Sequence, residues 1–129
     1  MVSNTRRLLW EIKMQLITTL DDSSYQEVSY ILESGVKTTL TLRFLPTQRR
    51  WLLDVVDENG FEVHGLYVCC HPNLLDKWHN IIDYGINVAT SDMVDPYRQE
   101  DFESGYAFLA MIDKEEKDYT TRYLNGLQS

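Results

Sequence analysis

The central part of the chain alternates between apolar and polar residues. Every second position from 36 to 44 is apolar or small, namely Val36, Thr38, Leu40, Leu42 and Phe44. This period of two is typical of a β-strand with one face on a core and the other in water. Val28, Tyr30 and Leu32 alternate in the same way, and Ser34-Gly35 separates the two runs. Because glycine tolerates the positive φ of a tight turn, the pattern predicts a β-hairpin.

A second hairpin is predicted directly after the first. Pro46-Thr47-Gln48 is typical of a turn, and two apolar runs follow it at residues 51–56 and 61–68. Asn59-Gly60 lies between these runs, and an Asn-Gly pair is a strong signal for a two-residue hairpin turn. The four strands are therefore expected to form one antiparallel meander.

The N-terminal segment permits two interpretations. Trp10, Ile12, Met14 and Leu16 alternate with polar residues, which favours a strand. The same residues are adequate helix formers, so a helix remains the alternative. A polar loop is expected at residues 21–24.

The remainder of the chain mixes element types. Leu74, Leu75, Trp78, Ile81 and Ile82 have helical spacing, which predicts a short helix over residues 72–82 that ends at Gly85. Strands are predicted at residues 86–89 and 106–112, the latter buried on both faces, with a long acidic surface loop over residues 91–105 between them. Residues 114–129 form a charged tail, either a docking helix or a segment that orders on a partner.

Seven predicted strands without parallel crossover units indicate a mainly β fold. We expect a small antiparallel β-barrel or sandwich with one short helix and a C-terminal tail. The length of 129 residues fits one domain. The domain is expected to span residues 1–129, with a core over about 10–113 and the tail at 114–129.

Composition narrows the class of protein. A net charge of −8 repels phosphate backbones, so direct nucleic-acid binding is not expected, whereas a basic partner or mimicry of nucleic acid would suit it. Charged residues interrupt every apolar run before it reaches the length of a membrane span. Glu11 and Lys13 similarly shorten the apolar run after Arg6-Arg7, so no signal peptide is expected and the protein is predicted to be made in the cytoplasm.

Candidate chemistry is sparse. Cys69 and Cys70 are adjacent, which disfavours a disulfide between them, and with His71 they lack the paired spacing of zinc ligands. Acidic residues cluster in loops, where solvation is the ordinary explanation. Asp54 lies inside an apolar strand and is expected to form a cross-strand ion pair or a turn contact. No nucleophile elbow or phosphate-binding glycine loop occurs, so we predict no catalytic residue, no metal site, no cofactor and no enzyme activity.

Binding to a partner is the better hypothesis for the aromatic residues outside the core strands. Aromatic and arginine side chains dominate interface hot spots. The predicted interface residues lie in the loop over residues 91–105, in the tail, and directly after the turn at residues 46–48. They are Tyr97, Tyr119, Tyr123, Leu124, Leu127, Arg49 and Arg50.

Several motifs together resemble one known family. They are the alternating run Thr39–Phe44, the Trp51-Leu52-Leu53-Asp54 strand that continues to Asp57, the Asn59-Gly60 turn, the later Gly65, then Asn73-Leu74-Leu75, Asp95-Pro96 and the apolar run 106–112 before Asp113 and Glu115. In order and spacing they resemble the small baseplate plug proteins of contractile-tailed phages. The resemblance covers roughly residues 25–116.

The resemblance implies a structural role in the virion. A plug of this kind lies in the central channel of the tail baseplate, and its expected partners are the hub and spike proteins, with the C-terminus of the tape-measure protein as a further candidate. Several copies in a symmetric assembly are expected. The rival hypotheses are an acidic inhibitor that mimics nucleic acid, a small β-fold adaptor module, and a hydrolase that uses Asp and Glu residues.

Overall fold

Two antiparallel sheets stack as a sandwich and do not close into a barrel. The computed structural model describes residues 14–128, except for the side chains of residues 14, 123 and 125–128. The described strands are β1 (Met14–Leu16), β2 (Tyr25–Ile31), β3 (Lys37–Leu45), β4 (Arg50–Asp57), β5 (Glu62–Tyr67), β6 (Gly85–Thr90) and β7 (Ala107–Ile112). A 3₁₀ turn (Asp76–Trp78) and helix α1 (Lys114–Gln128) complete the fold. The prediction of a seven-stranded, mainly β fold is confirmed in its sandwich form.

The larger sheet has the strand order β2-β3-β4-β5, so the predicted meander is confirmed. Leu40 opposes Val55 across β3 and β4, and Leu42 opposes Leu53. The turns contain Gly35 at φ 92° and Gly60 at φ 95°. Residues that have a Cβ atom rarely adopt such a positive φ. The predicted hairpin turns therefore lie where the sequence signals place them.

The smaller sheet has the order β1-β7-β6, with β7 in the centre. Met14 opposes Ile112, which confirms the strand interpretation for residues 14–16; Trp10 and Ile12 lie outside the described residues. Five of the six residues of β7 are buried, as its apolar sequence predicts, while Phe108 is exposed. The strand is therefore buried on both faces along most of its length.

The core fills the space between the two sheets. Its fully buried side chains come from both layers, and the larger ones are Trp51, Leu40, Leu42, Leu53, Ile86, Leu109 and Met111. The rings of Phe44 and Phe102 lie 5.3 and 5.4 Å from that of Trp51. Since large buried side chains contribute most of the apolar area removed from water, this cluster supplies much of the stability of the fold.

The helix predicted over residues 72–82 is wrong. The structure has a 3₁₀ turn of three residues at 76–78, and the rest of the segment is irregular. The backbone N–H of Leu74 donates to Ile86 O, and the N–H of Leu75 donates to Asn73 Oδ1. These bonds hold the start of the segment against β6, so its N–H groups are not available for a regular helix.

The loop over residues 91–105 is confirmed as irregular, but its description as a purely surface loop is wrong. Asp101 is fully buried, and Phe102 is buried against Trp51. The loop therefore covers one end of the core. The prediction missed this because acidic residues surround the one aromatic residue that packs inward.

The tail predicted at residues 114–129 forms helix α1 through Gln128, which agrees with the docking-helix alternative. Lys117 lies on the buried side of the helix, and Thr121 Oγ1 donates to Asp76 Oδ1 at 3.2 Å. The helix thus packs on the irregular segment that follows β5. None of the described helices is both long enough and apolar enough to cross a membrane.

Candidate functional site

An open groove lies at the end of the sandwich where the β2–β3 and β4–β5 turns meet. It is lined by residues of the ranges 32–36, 57–62, 78–84 and 113–118, and we call it the acidic groove. Its volume is about 1070 Å³. The two hairpin turns form one wall, and the segment after the 3₁₀ turn and the first turn of α1 form the other.

The floor of the acidic groove is apolar. The rings of Phe61 and Trp78 meet edge to face with centroids 5.8 Å apart, and Ile82 is buried beside them. Ile81 also lines the groove, but it leaves 71% of its surface exposed. An exposed isoleucine next to two aromatic rings provides apolar surface that another molecule could cover.

The rim of the groove is strongly acidic. Of the described residues that line it, seven are acidic and one is basic, and these are Glu33, Asp57, Glu62, Asp83, Asp113, Glu115 and Asp118 against Lys114. The first turn of α1 also lies here, where the helix dipole favours negative charge. Asp113 Oδ1 accepts a hydrogen bond from the N–H of Glu116, in the manner of an N-cap. The groove therefore attracts cations and repels anions.

Asp57 organises the wall formed by the β4–β5 turn. Its Oδ1 accepts hydrogen bonds from the N–H groups of Asn59 at 2.8 Å and Phe61 at 3.1 Å. Its Oδ2 accepts from the hydroxyl of Tyr84 at 2.7 Å. Burial, together with this bond to Asp57, raises the pKa of the Tyr84 phenol. Both carboxylate oxygens of Asp57 thus have hydrogen-bond partners, Oδ1 in the turn and Oδ2 at Tyr84, which suits a structural role.

Lys117 fixes the opposite wall. Its side chain is buried, and Nζ donates to the carbonyl oxygens of His79 at 2.7 Å and Ile82 at 2.9 Å. Asp118 lies 3.3 Å from the same ammonium. Because the carbonyls belong to the segment that carries Ile81, the ammonium ties the groove floor to α1. This function of Lys117 had no distinct sequence signal.

Three predicted interface residues form two cation–π contacts at the opposite end of the sandwich. The guanidinium carbon of Arg49 lies 5.5 Å from the ring centre of Tyr97, and that of Arg50 lies 5.0 Å from the ring centre of Tyr67. Arg98 stacks on Tyr97 at 4.8 Å. Tyr97 is half-buried, whereas Tyr67 leaves 57% of its surface exposed. We call Arg49, Arg50, Tyr67, Tyr97 and Arg98 the arginine–tyrosine cluster.

The other predicted interface residues lie on α1. Tyr119 leaves 66% of its surface exposed, and Leu124 is half-buried. Tyr123 and Leu127 belong to the helix, but their side chains lie outside the described residues. The predicted set therefore divides between two separate parts of the molecule, and it does not include the floor of the acidic groove.

Asp54 forms a cross-strand ion pair, as predicted. Its Oδ1 accepts from Arg43 Nη2 at 3.0 Å and from the N–H of Gly65 at 2.8 Å. A β-bulge at this point places both His64 and Gly65 opposite Asp54, and His64 Nδ1 lies 3.8 Å from Asp54 Oδ2. Burial opposes ionisation of Asp54, but the bonds from Gly65 and Arg43 outweigh it and lower the pKa of the carboxyl group.

Polar groups of the Cys69-Cys70-His71 segment form hydrogen bonds within the fold. Both thiols are free, and burial raises the pKa of the Cys69 thiol, which disfavours the reactive thiolate. The N–H of Cys70 donates to Asp95 Oδ1 at 2.8 Å, and His71 Nδ1 accepts from the N–H of Asn73 at 2.9 Å. Within residues 14–128, no group of three metal-ligating side chains converges.

Sequence reasoning missed the acidic groove because its parts are far apart in the chain. Ile81 and Trp78 have helical spacing, which predicts a short helix and not a groove floor. The acidic residues of the rim belong to four different segments, each of which resembles an ordinary solvated loop. Only the pairing of the strands brings these segments together.

The fold and the groove define a small β-sandwich protein with an open acidic surface at one end. No protein-family model matches the chain, and neither does any curated protein. The resemblance to baseplate plugs therefore stays a prediction that is based on its motifs.

Proposed function

We propose that this protein is a structural component of a contractile-phage tail baseplate, where it plugs the central channel beside the hub and spike proteins. In this role it binds neighbouring chains and catalyses no reaction. The virion is then its place of action, and several copies share a symmetric assembly.

The observation that carries the proposal is the acidic groove. An open concavity with an exposed isoleucine and two aromatic rings is a surface that a neighbouring chain can cover. The deepest carboxylate, Asp57, is fully engaged by its turn and by Tyr84. A general base needs an oxygen that can accept a proton from substrate, so Asp57 is better suited to hold the turn than to act as a general base.

The resemblance adds the identity of the assembly. Its motifs coincide with elements that define the larger sheet: the Trp51–Asp57 run lies in β4, Asn59-Gly60 is in the β4–β5 turn, and Gly65 is part of the bulge beside Asp54. These residues therefore have structural reasons to occur together. This supports treating the motifs as one pattern and not as separate coincidences.

Reconstitution tests the proposal directly. The full chain is mixed with the hub and spike proteins of a contractile-tail baseplate, and the products are separated by size and imaged by cryo-electron microscopy. We expect co-elution and density for the chain inside the baseplate channel. Elution of the chain alone at every concentration, with an empty channel in the particles, would contradict the proposal.

The acidic rim also favours a second candidate, an inhibitor that mimics nucleic acid. Such a mimic binds through arrayed negative charge, so modest salt abolishes its association with a basic target. A baseplate contact that also buries the apolar floor should survive the same salt. Measuring the complex at about 50 mM and about 500 mM salt separates the two candidates, because the Debye length falls about threefold.

A further inference from the structure

The acidic groove combines an apolar floor with a rim of carboxylates. We infer that it binds a peptide segment of a partner chain in which apolar residues alternate with lysine or arginine. The inference deepens the proposed function and rests on it, because the partner chain would be a neighbour in the same assembly.

The open shape of the groove favours a peptide over a small molecule. Pockets for small ligands enclose roughly 300–1000 Å³ and bury most of the ligand. The acidic groove has a volume of about 1070 Å³ and is open to solvent. Its two walls come from separate turns and a helix, so a chain segment can lie along it.

The floor provides an anchor position. Ile81 leaves 71% of its surface exposed beside Trp78, whose ring is braced by Phe61 at 5.8 Å. Interface hot spots form where an apolar side chain enters a pocket bounded by rigid aromatic groups. Lys117 holds the carbonyls of His79 and Ile82, so the floor does not have to be ordered when the peptide binds.

The rim selects the charge of the partner. Asp83 and Glu115 are both exposed, one on the segment after the 3₁₀ turn and the other in the first turn of α1, and Lys114 is the one basic residue among the described residues of the lining. A cationic side chain anywhere in the groove lies within about one Debye length of several carboxylates at physiological salt. A basic segment gains from this potential, while an acidic segment or a phosphate backbone is repelled.

A defined probe tests the inference on the full chain. The probe is a fluorescein-labelled nine-residue peptide of alternating lysine and leucine, and its counterpart carries glutamate in place of lysine. Fluorescence anisotropy reports binding of each. We expect the lysine peptide to bind and the glutamate peptide not to bind.

Two groove variants locate the binding. Ile81→Gln removes the exposed apolar side chain, and Asp83→Asn/Glu115→Gln removes two charges from the rim. Each should weaken binding of the lysine peptide about five- to tenfold. The matched control for Ile81 is Met93→Gln, which alters another exposed apolar residue. The matched control for the rim is Asp22→Asn/Glu27→Gln, which makes the same pair of chemical changes outside the groove. We expect either control to change the affinity for the lysine peptide by less than about twofold. Melting curves confirm that all variants fold.

Four results would overturn the inference. The first is no binding of the lysine peptide, and the second is equal weakening in groove and control variants, which would indicate a general attraction to the net charge. The third is self-association that the groove variants abolish, because the occupant is then a second copy. The fourth is binding of the lysine peptide to the Arg6→Gln/Arg7→Gln variant but not to the wild-type chain. The occupant of the groove is then the arginine pair of the chain itself.

The groove variants also separate this inference from the proposed function. If the wild-type chain enters the baseplate and the groove variants enter it equally well, the inference fails and the proposed function stands. If the wild-type chain binds the peptide in the groove but never joins hub and spike proteins, the proposed function fails instead.

Discussion

Gly85 begins strand β6 directly against the side chain of Asn73. A Cβ atom placed on residue 85 would lie 2.6 Å from Asn73 Cγ, a separation that real contacts do not show. Asn73 cannot rotate away, because its Oδ1 accepts from the N–H groups of Leu75 at 2.9 Å and Ile86 at 3.1 Å. The contact therefore joins the segment after β5 to the smaller sheet.

Replacing Gly85 by alanine should destabilise the protein through this contact. We expect Gly85→Ala to lower the free energy of unfolding by about 2–3 kcal/mol, within the range of overpacked cores. Urea unfolding followed by tryptophan fluorescence measures the change. Gly35→Ala is a poor control because φ is positive there, so Ala89→Gly on the same strand serves to report the ordinary cost of altering β6.

Asn73→Ala provides the cross-check. Alone it removes two hydrogen bonds from buried N–H groups, and the cost should be about 2 kcal/mol. In the double variant, the smaller residue 73 leaves room for the new methyl group. The loss of stability in the double variant should then be smaller than the sum of the two single-variant losses by more than about 0.5 kcal/mol. Strict additivity would show that the two side chains do not share a contact.

Local signals were sufficient to predict the larger sheet. The alternation around Leu40 and Leu42 sets which face is buried, and the Ser34-Gly35 and Asn59-Gly60 turns set which strands pair. Both signals act over a few residues, so they can be read without knowledge of the rest of the chain. The same holds for β7, whose apolar run matches a central strand.

The segment from 72 to 84 could not be predicted because long-range bonds determine it. Leu74 bonds to Ile86, and Lys117 bonds to the carbonyls of His79 and Ile82. Helical spacing describes the same residues equally well, but these partners are 12 to 38 residues away in the sequence. The acidic groove depends on this segment, so it was missed as well.

His64 should make the stability depend on pH near neutrality. Its hydrogen bond to Glu62, and further the charge of Asp54, raises the pKa of the imidazole above its ordinary value of 6.5, although burial acts against this. Because the pKa is higher in the folded state, the contribution of His64 to the free energy of unfolding is complete below about pH 6.5. It is lost as pH rises through the folded-state pKa. The free energy of unfolding should therefore fall between about pH 6 and about pH 8.

His64→Gln is the matched variant for this prediction, because it keeps a polar side chain that does not titrate there. The difference in stability between wild type and His64→Gln should shrink as pH rises over that range. Glu62→Gln should move the NMR titration midpoint of His64 downward. An unchanged midpoint would contradict the assignment of Glu62 as the main cause.

Asp54 has the opposite dependence on pH. Its pKa is lowered below the ordinary value of 3.8, so its contribution is complete above that value and is lost as pH falls through the folded pKa. Asp54→Asn should therefore lessen the loss of stability on acidification below about pH 4. Acid titration of both proteins by circular dichroism checks this. Parallel curves would mean that Arg43 and Gly65 do not stabilise the ionised carboxylate.

Lys117 should be required to hold α1 against the groove floor. Lys117→Met keeps much of the apolar length but leaves the carbonyls of His79 and Ile82 without their donor, which should cost about 2 kcal/mol. Amide hydrogen exchange should quicken in α1 and around Ile81. Lys114→Met, an exposed change on the same helix, should alter stability by less than about 0.5 kcal/mol. Equal effects of the two variants would remove the case for a specific anchor.

Asp101 should support the arginine–tyrosine cluster from beneath. The carboxylate is fully buried, and it accepts from the N–H groups of Tyr97 and Arg98, both at 2.9 Å, and from Arg98 Nε at 2.7 Å. Asp101→Asn replaces one carboxylate oxygen with an NH₂ donor and leaves the other as a weaker, uncharged acceptor. We therefore expect the free energy of unfolding in urea to fall by about 2–3 kcal/mol. Arg98 O also accepts from Trp51 Nε1 at 3.1 Å, so the tryptophan emission spectrum should shift as the loop loosens. Glu103→Gln, an exposed change in the same loop, should leave both readings unchanged, and a matching loss there would contradict a specific role for Asp101.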